Sequence, residues 1–278
     1  MTSGIYQALL LDLDGTLLDR QGKIHPRNKQ AVLAARDAGV KVVLVTGRSK
    51  LATVPIVQEL ELGTPSVIFN GAAILCPLEG RLIEQRTLSN RTMQRLLAYG
   101  AATEDLTIVM LEDKKLCSRP RNLTEERSLQ GLRSLEFVAR EDLASEYCMR
   151  VTFISARPHG SAQYAAEIER HVAQPMYLTH FPLSWLTAHK ESTMQAVDVH
   201  PPCKGKGEAL RFLAERWGIR PEAVVAVGDA SNDLPMLRAA GLGVAMDGAM
   251  PELLAEADRV IGDHDGDSIA DLIHELFL

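Results

Sequence analysis

Residues 8–16 read Ala8-Leu9-Leu10-Leu11-Asp12-Leu13-Asp14-Gly15-Thr16, an apolar run that stops abruptly at acidic and turn-forming residues. Four apolar residues are too few for a buried helix, so the run is predicted to be a strand covered on both faces, as in a parallel sheet. Asp12 and Asp14 stand at i and i+2, which on an extended backbone puts both carboxylates on one side. Two close carboxylates repel and are expected to hold a proton or a metal ion between them. An aspartate after an apolar strand also serves as a helix N-cap or turn residue, so neither decides the matter alone. The whole Asp-x-Asp-Gly-Thr string, with each residue at roughly 5–7%, has a chance occurrence on the order of 10⁻³ in a chain of this length.

Working outward, Ala31, Val32, Ala35 and Ala38 recur at helical spacing within 26–38, with Gly39 at the expected C-cap. Residues 40–45 form a valine-rich strand ending in Thr46-Gly47-Arg48; a helical pattern follows to about 60, then a third strand, 66–69, ending at Asn70-Gly71. This alternation predicts an α/β fold with a Rossmann-like, doubly wound parallel sheet. After residue 82 the rhythm changes: strands are expected at 106–111, 149–155, 176–181 and 193–199, with helices at 91–102 and 161–173, an α+β module with an antiparallel sheet. Charge changes with it. Residues 85–196 hold 14 Lys plus Arg against 13 Asp plus Glu, whereas the remainder holds 16 against 23. The α/β rhythm returns with a helix at 208–217, a strand at 223–227 ending in Gly228-Asp229, a helix at about 234–240 and a strand at 243–246. The expected organisation is therefore a core of 1–84 and 197–278 interrupted by an inserted module, 85–196.

The 278 residues are 46% hydrophobic and 24% charged, a globular composition, and their net charge of −6 provides no basic field for nucleic acid. Cys76, Cys117, Cys148 and Cys203 form no CxxC pair and read as reduced thiols of a cytoplasmic protein. No signal peptide is expected before Asp12, and no 18 apolar residues run together, so no membrane span is expected. A GxxxxGK[ST] phosphate loop is absent. Asp263-x-Asp265-x-Asp267 imitates a calcium loop, but Ser268 and His274 stand where glycine and glutamate are needed, so it reads as a solvated turn.

Ligands of open parallel sheets bind beyond the carboxyl ends of the strands. Asp229 ends one such strand and would join Asp12 and Asp14 in an all-oxygen site, which suits magnesium better than zinc. Asp12-Leu13-Asp14-Gly15-Thr16 resembles the first motif of the haloacid dehalogenase-like phosphohydrolases. With Thr46-Gly47-Arg48, Lys206-Gly207-Glu208-Ala209-Leu210, Gly228-Asp229-Ala230-Ser231-Asn232-Asp233 and the insertion after the third strand, nearly the whole chain is similar to the Cof-type capped sugar-phosphate phosphatases. Asn70-Gly71-Ala72 and Ala245-Met246-Asp247-Gly248-Ala249 echo it too; Ala230 and Gly248-Ala249 depart from the common pattern without losing a chemical group.

The resemblance implies a Mg2+-dependent phosphatase acting on a small phosphorylated metabolite. Asp12 would be the nucleophile forming a phosphoaspartate, and Asp14 the acid/base, its pKa raised by crowded surroundings. Magnesium would be held by Asp12, Asp229 and the backbone carbonyl of Asp14. Lys206, Asn232, Thr46 and Gly47 would bind phosphate, the last two at a helix start, with Asp233 supporting the metal waters or Lys206. Lys204 competes with Lys206, which the Lys-Gly-x-Ala-Leu frame favours. The insert would be a cap selecting the leaving group. Within it Lys114, Lys115, Arg119 and Arg121 suit either a solvated hairpin or an anionic substrate, and His180, Trp185 and His189 either strand alternation or a pocket lining. A phosphomutase or a non-enzymatic phosphate sensor would use the same core motifs.

Overall fold

The computed structural model describes residues 5–143 and 146–278 and divides into two compact units, 1–85 with 204–278 and 86–203. The first is built on a five-stranded parallel sheet in the order Arg259–Ile261, Leu242–Met246, Val224–Gly228, Ala8–Leu11, Lys41–Leu44. The strand Ala8–Leu11 lies inside it and is wholly buried. Its alternation feeds two cores: Leu9 and Leu11 pack among residues of the helices Pro26–Asp37, Lys50–Glu59 and Ser268–Phe277, while Ala8 and Leu10 pack with the helix Glu208–Trp217. Both faces being covered is why the run is continuously apolar.

Three expectations need correction. The strand Ala8–Leu11 ends before Asp12, so its alternation does not extend through Asp14. The third strand, Ser66–Ile68, lies in a separate antiparallel sheet with Ala73–Cys76 and Arg81–Gln85, and Val67 forms an isolated parallel bridge with Val45, just beyond the end of Lys41–Leu44. Finally, the helix after Thr46-Gly47 starts only at Lys50, so both residues lie in the loop before it rather than at its first turn.

The second unit has a six-stranded sheet in the order Tyr177–Pro182, Gln195–His200, Arg150–Ser155, Leu106–Met110, Lys115–Ser118, Leu135–Val138, antiparallel except for its last pair. The amphipathic helices Asn90–Thr103 and Ser161–Val172 cover one face, burying Leu96, Tyr99, Tyr164 and Ile168 against Val109, Phe153 and Val197. Gln195–His200 is fully paired within this sheet, so the chain returns to the first unit at Lys204, later than the boundary at 196/197 read from the sequence. No helix among the described residues is long and apolar enough to cross a membrane.

Candidate active site

Parallel register sets the site. Leu11 is level with Val227 on one neighbouring strand and with Leu44 on the other, so the loops leaving all three strands start side by side. The amide of Asp12 donates to the Val227 carbonyl (3.1 Å) and that of Val45 to the Leu11 carbonyl (2.8 Å), carrying the pairing one residue beyond the strand ends. This is the carboxyl edge of the sheet, and here the chain proceeds to opposite sides of Ala8–Leu11, the crevice geometry expected of ligand sites.

Lys206 is 1% exposed, and its ammonium donates to Asp12 Oδ1 and Asp233 Oδ1, each at 2.5 Å. Burial alone would push this lysine down, but the two carboxylates outweigh it and hold the ammonium above the ordinary lysine range. Lys204, by contrast, is exposed, so the fold brings Lys206 to the aspartate. Asp233 is fully buried; its Oδ2 accepts the amides of Asp229 and Ala230, both at 3.0 Å, fixing the loop that presents Asp229. Gly228 is needed because a Cβ there would stand 2.4 Å from Asp233 Cγ.

Asp12, Asp229 and Asp233 each bring a carboxylate oxygen within 4.8 Å of the others. Three carboxylates against one ammonium leave a negative surplus in a buried place. Burial, partly offset by Lys206, pushes the Asp12 carboxyl up to about 7, and burial together with the Asp12 charge raises Asp229. Asp229 Oδ1 is buried without a hydrogen-bond partner, whereas both oxygens of Asp233 are engaged. An orphaned carboxylate oxygen beside a second buried carboxylate fits a hard divalent cation, with Asp12 and Asp229 as its protein oxygens.

Asp14 is not crowded. The turn at Gly15, whose φ of +78° suits glycine, accompanies an Asp14 side chain that is 59% exposed and gripped by Arg48: Nε donates to Oδ2 at 2.7 Å and Nη2 to Oδ1 at 2.5 Å. A Cβ on Gly15 would also meet Asp229 Oδ2 at 2.2 Å. Thr46 is buried, its hydroxyl accepting the Arg48 amide (3.1 Å), while its carbonyl accepts the Asn70 amide (3.0 Å). Asn232 Nδ2 donates to Asn70 Oδ1 (3.0 Å), and its own Oδ1 is buried without a partner. Asn70 holds a left-handed backbone (φ 52°), and Gly47 lies so close that a Cβ there would stand 3.0 Å from its Oδ1.

A family model described as haloacid dehalogenase-like hydrolase matches residues 9–273. The chain belongs to this family. Its Cof-type branch is represented among the relatives. One is the pyridoxal phosphate phosphatase YbhA of Escherichia coli, 30% identical over 275 residues covering 96% of this chain and 97% of that one. The 5-amino-6-(5-phospho-D-ribitylamino)uracil phosphatase YwtE of Bacillus subtilis is 24% identical, covering 97% and 98%. The fold matches the solved structure of the phosphatase BT1666 from Bacteroides thetaiotaomicron with a TM-score of 0.81 at 21% identity, covering 99% of this chain and 96% of that one. This member of the hydrolase family is a phosphatase enzyme, which removes the non-enzymatic sensor from consideration.

Sequence reasoning named Asp12, Asp14, Thr46, Gly47, Lys206, Asp229, Asn232 and Asp233, but not the partnership of Arg48 with Asp14. The only signal was a cation closing the Thr46-Gly47-Arg48 triplet. Asn70 was marked by the Asn-Gly pair at a strand end and by the family resemblance of Asn70-Gly71-Ala72, without a role of its own; the pair's tolerance of positive φ is what the structure uses. In the second unit, Arg121 is tied to Glu104 and Glu125, His189 Nε2 pairs with the Gln130 carbonyl (3.0 Å), His180 Nδ1 with Ser161 Oγ (3.1 Å) and Lys115 with the Arg133 carbonyl (3.3 Å). Lys114, Arg119 and Trp185 are exposed. The acidic turn at Asp263 and Asp265 is paired with Arg20, and Asp267 with Arg27, a set of surface ion pairs.

Proposed function

We propose that the enzyme hydrolyses small phosphomonoesters, sugar phosphates or related metabolites, in a Mg2+-dependent reaction through a phosphoaspartate on Asp12. The observation that carries this reading is the buried ammonium of Lys206 shared between Asp12 and Asp233, beside an Asp229 oxygen with no partner. Asp12 would bond to phosphorus as the ester oxygen leaves, dividing one hard hydrolysis into two steps. Lys206 neutralises charge between nucleophile and phosphoryl oxygens, and Asp233 holds it there. Asp14 protonates the leaving alcohol and then takes a proton from water. The Thr46 hydroxyl, the Gly47 amide and the Asn232 side chain supply polar contacts for the phosphoryl oxygens. Magnesium, held by Asp12 and Asp229 and, by family resemblance, the Asp14 carbonyl, would supply positive charge for the phosphoryl oxygens. The second unit, by the same resemblance, would select the leaving group.

The test is turnover of an aryl phosphate by wild type and Asp12→Asn, with magnesium and with chelator. Asp12→Asn should lose more than about 100-fold, since covalent catalysis is worth several kcal/mol. Retention of rate in that variant, or full activity of dialysed enzyme in chelator, would remove the nucleophile or the metal respectively. A panel including pyridoxal phosphate, polyol phosphates and sugar phosphates would then identify the substrate class, since the named relatives act on phosphate esters of differing alcohols.

A further inference from the structure

Asp14 is held by a cation other than the catalytic lysine. Lys206 is engaged by Asp12 and Asp233, whereas both Asp14 oxygens accept from Arg48 in a fork of 2.7 and 2.5 Å. Arg48 is itself mounted firmly: its amide donates to Thr46 Oγ1 at 3.1 Å and its carbonyl accepts the Phe69 amide at 3.0 Å. A planar two-point fork fixes the orientation of a carboxylate, which a point charge cannot do. It also requires both oxygens to be acceptors, leaving each a second lone pair for a further proton.

We propose that Arg48 is a positioning residue for the second half of the reaction, holding the Asp14 carboxylate in the orientation from which it takes a proton from the attacking water. The inference rests on the reading of Asp12 as nucleophile and Asp14 as acid/base. In this half the water oxygen bonds to phosphorus while the bond from phosphorus to the Asp12 oxygen breaks. The electron pair of the broken bond returns to the Asp12 carboxylate. One water proton passes to Asp14, which delivers it to the leaving oxygen of the next substrate. Formation of the phosphoenzyme from an ester with a very good leaving group needs no proton from Asp14, so the two halves depend on Arg48 unequally.

Rapid-quench kinetics with 2,4-dinitrophenyl phosphate separate them. In Arg48→Met the first turnover should stay fast, with a burst of about one phenolate per chain, while the steady-state rate falls roughly 10- to 100-fold and phosphoenzyme accumulates. Arg48→Lys should lie between this variant and wild type, and Arg48→Gln serves if Arg48→Met fails to fold. A burst slowed in parallel with the steady state and no accumulated phosphoenzyme would place Arg48 in phosphate capture and overturn the proposal; so would wild-type kinetics throughout. Asp14→Asn is the reference. If it accumulates phosphoenzyme and the Arg48 variants do not, only the role of Arg48 fails; if it does not accumulate phosphoenzyme, the assignment of Asp14 fails.

Discussion

Replacing Lys206 by methionine keeps most of the side-chain volume but removes the charge from a fully enclosed place. The ammonium has two carboxylate partners at 2.5 Å and is 1% exposed, so solvent does not stand in for it. Its loss leaves Asp12, Asp229 and Asp233 facing one another within 4.8 Å. Breaking a buried ion pair from one side costs about 3–5 kcal/mol, which at about 2–4 °C per kcal/mol corresponds to roughly 6–20 °C in melting temperature. The defect has a definite pH dependence. A carboxyl whose folded pKa is raised contributes stability at low pH that is lost as pH rises through the folded value. Asp12 is already pushed up to about 7, and without Lys206 it rises further, so the deficit should widen from pH 5 to pH 8 in metal-free protein. On every substrate kcat/KM should fall about 10²–10³-fold, the range for removing one charge-stabilising donor. Thermal melts in chelator at both pH values, alongside kinetics and the exposed control Lys204→Met, provide the assay. A Lys206→Met protein melting within about 2 °C of wild type at pH 8, with kcat/KM within about threefold, would refute the reasoning.

Magnesium should raise the melting temperature of wild type by an increment that grows with concentration, about 2.7 kcal/mol at one hundred times Kd. Asp229→Asn should abolish that increment, and an undiminished shift in the variant would disprove Asp229 as ligand. Calcium should suppress activity by accepting a looser coordination around Asp12; equal rates with both ions would count against that geometry. His200, fully enclosed, is pushed down to about 3 by burial, so the unfolded chain takes up its proton first: its contribution to stability is present above about pH 6.5 and lost at about 1.4 kcal/mol per pH unit below it. His200→Gln should show a shallower acid slope in denaturant melts of the second unit, and identical slopes would exclude the assignment. In that unit, alanine at exposed Lys114, Arg119 or Trp185 should reorder a substrate panel more than it changes aryl phosphate turnover, whereas Arg121→Ala should chiefly lower the melting temperature, since Arg121 is bound to Glu104 and Glu125. An unchanged substrate ranking would move specificity to the loops around Asn70 and Asn232.

The sequence by itself determined the parallel core, because a strand covered on both faces must be apolar throughout and Ala8–Leu11 is so. It also singled out the polar strand ends at Asp12, Thr46 and Asp229, which parallel register brings to one edge of the sheet. The partnerships came from the tertiary structure. Lys206 and Asp12 are 194 positions apart, and only the pairing of Ala8–Leu11 with Val224–Gly228 brings the two carboxylate loops together. The Arg48–Asp14 fork spans 34 positions and depends on where the Gly15 turn sends a carboxylate, which alternation along an ideal strand misplaced. The second unit's end at Cys203 was likewise invisible, because a strand's apolar pattern reports that it is paired and not with which sheet. Local pattern encodes burial and period; the identity of a distant partner is a property of the register, which forms only when the strands meet.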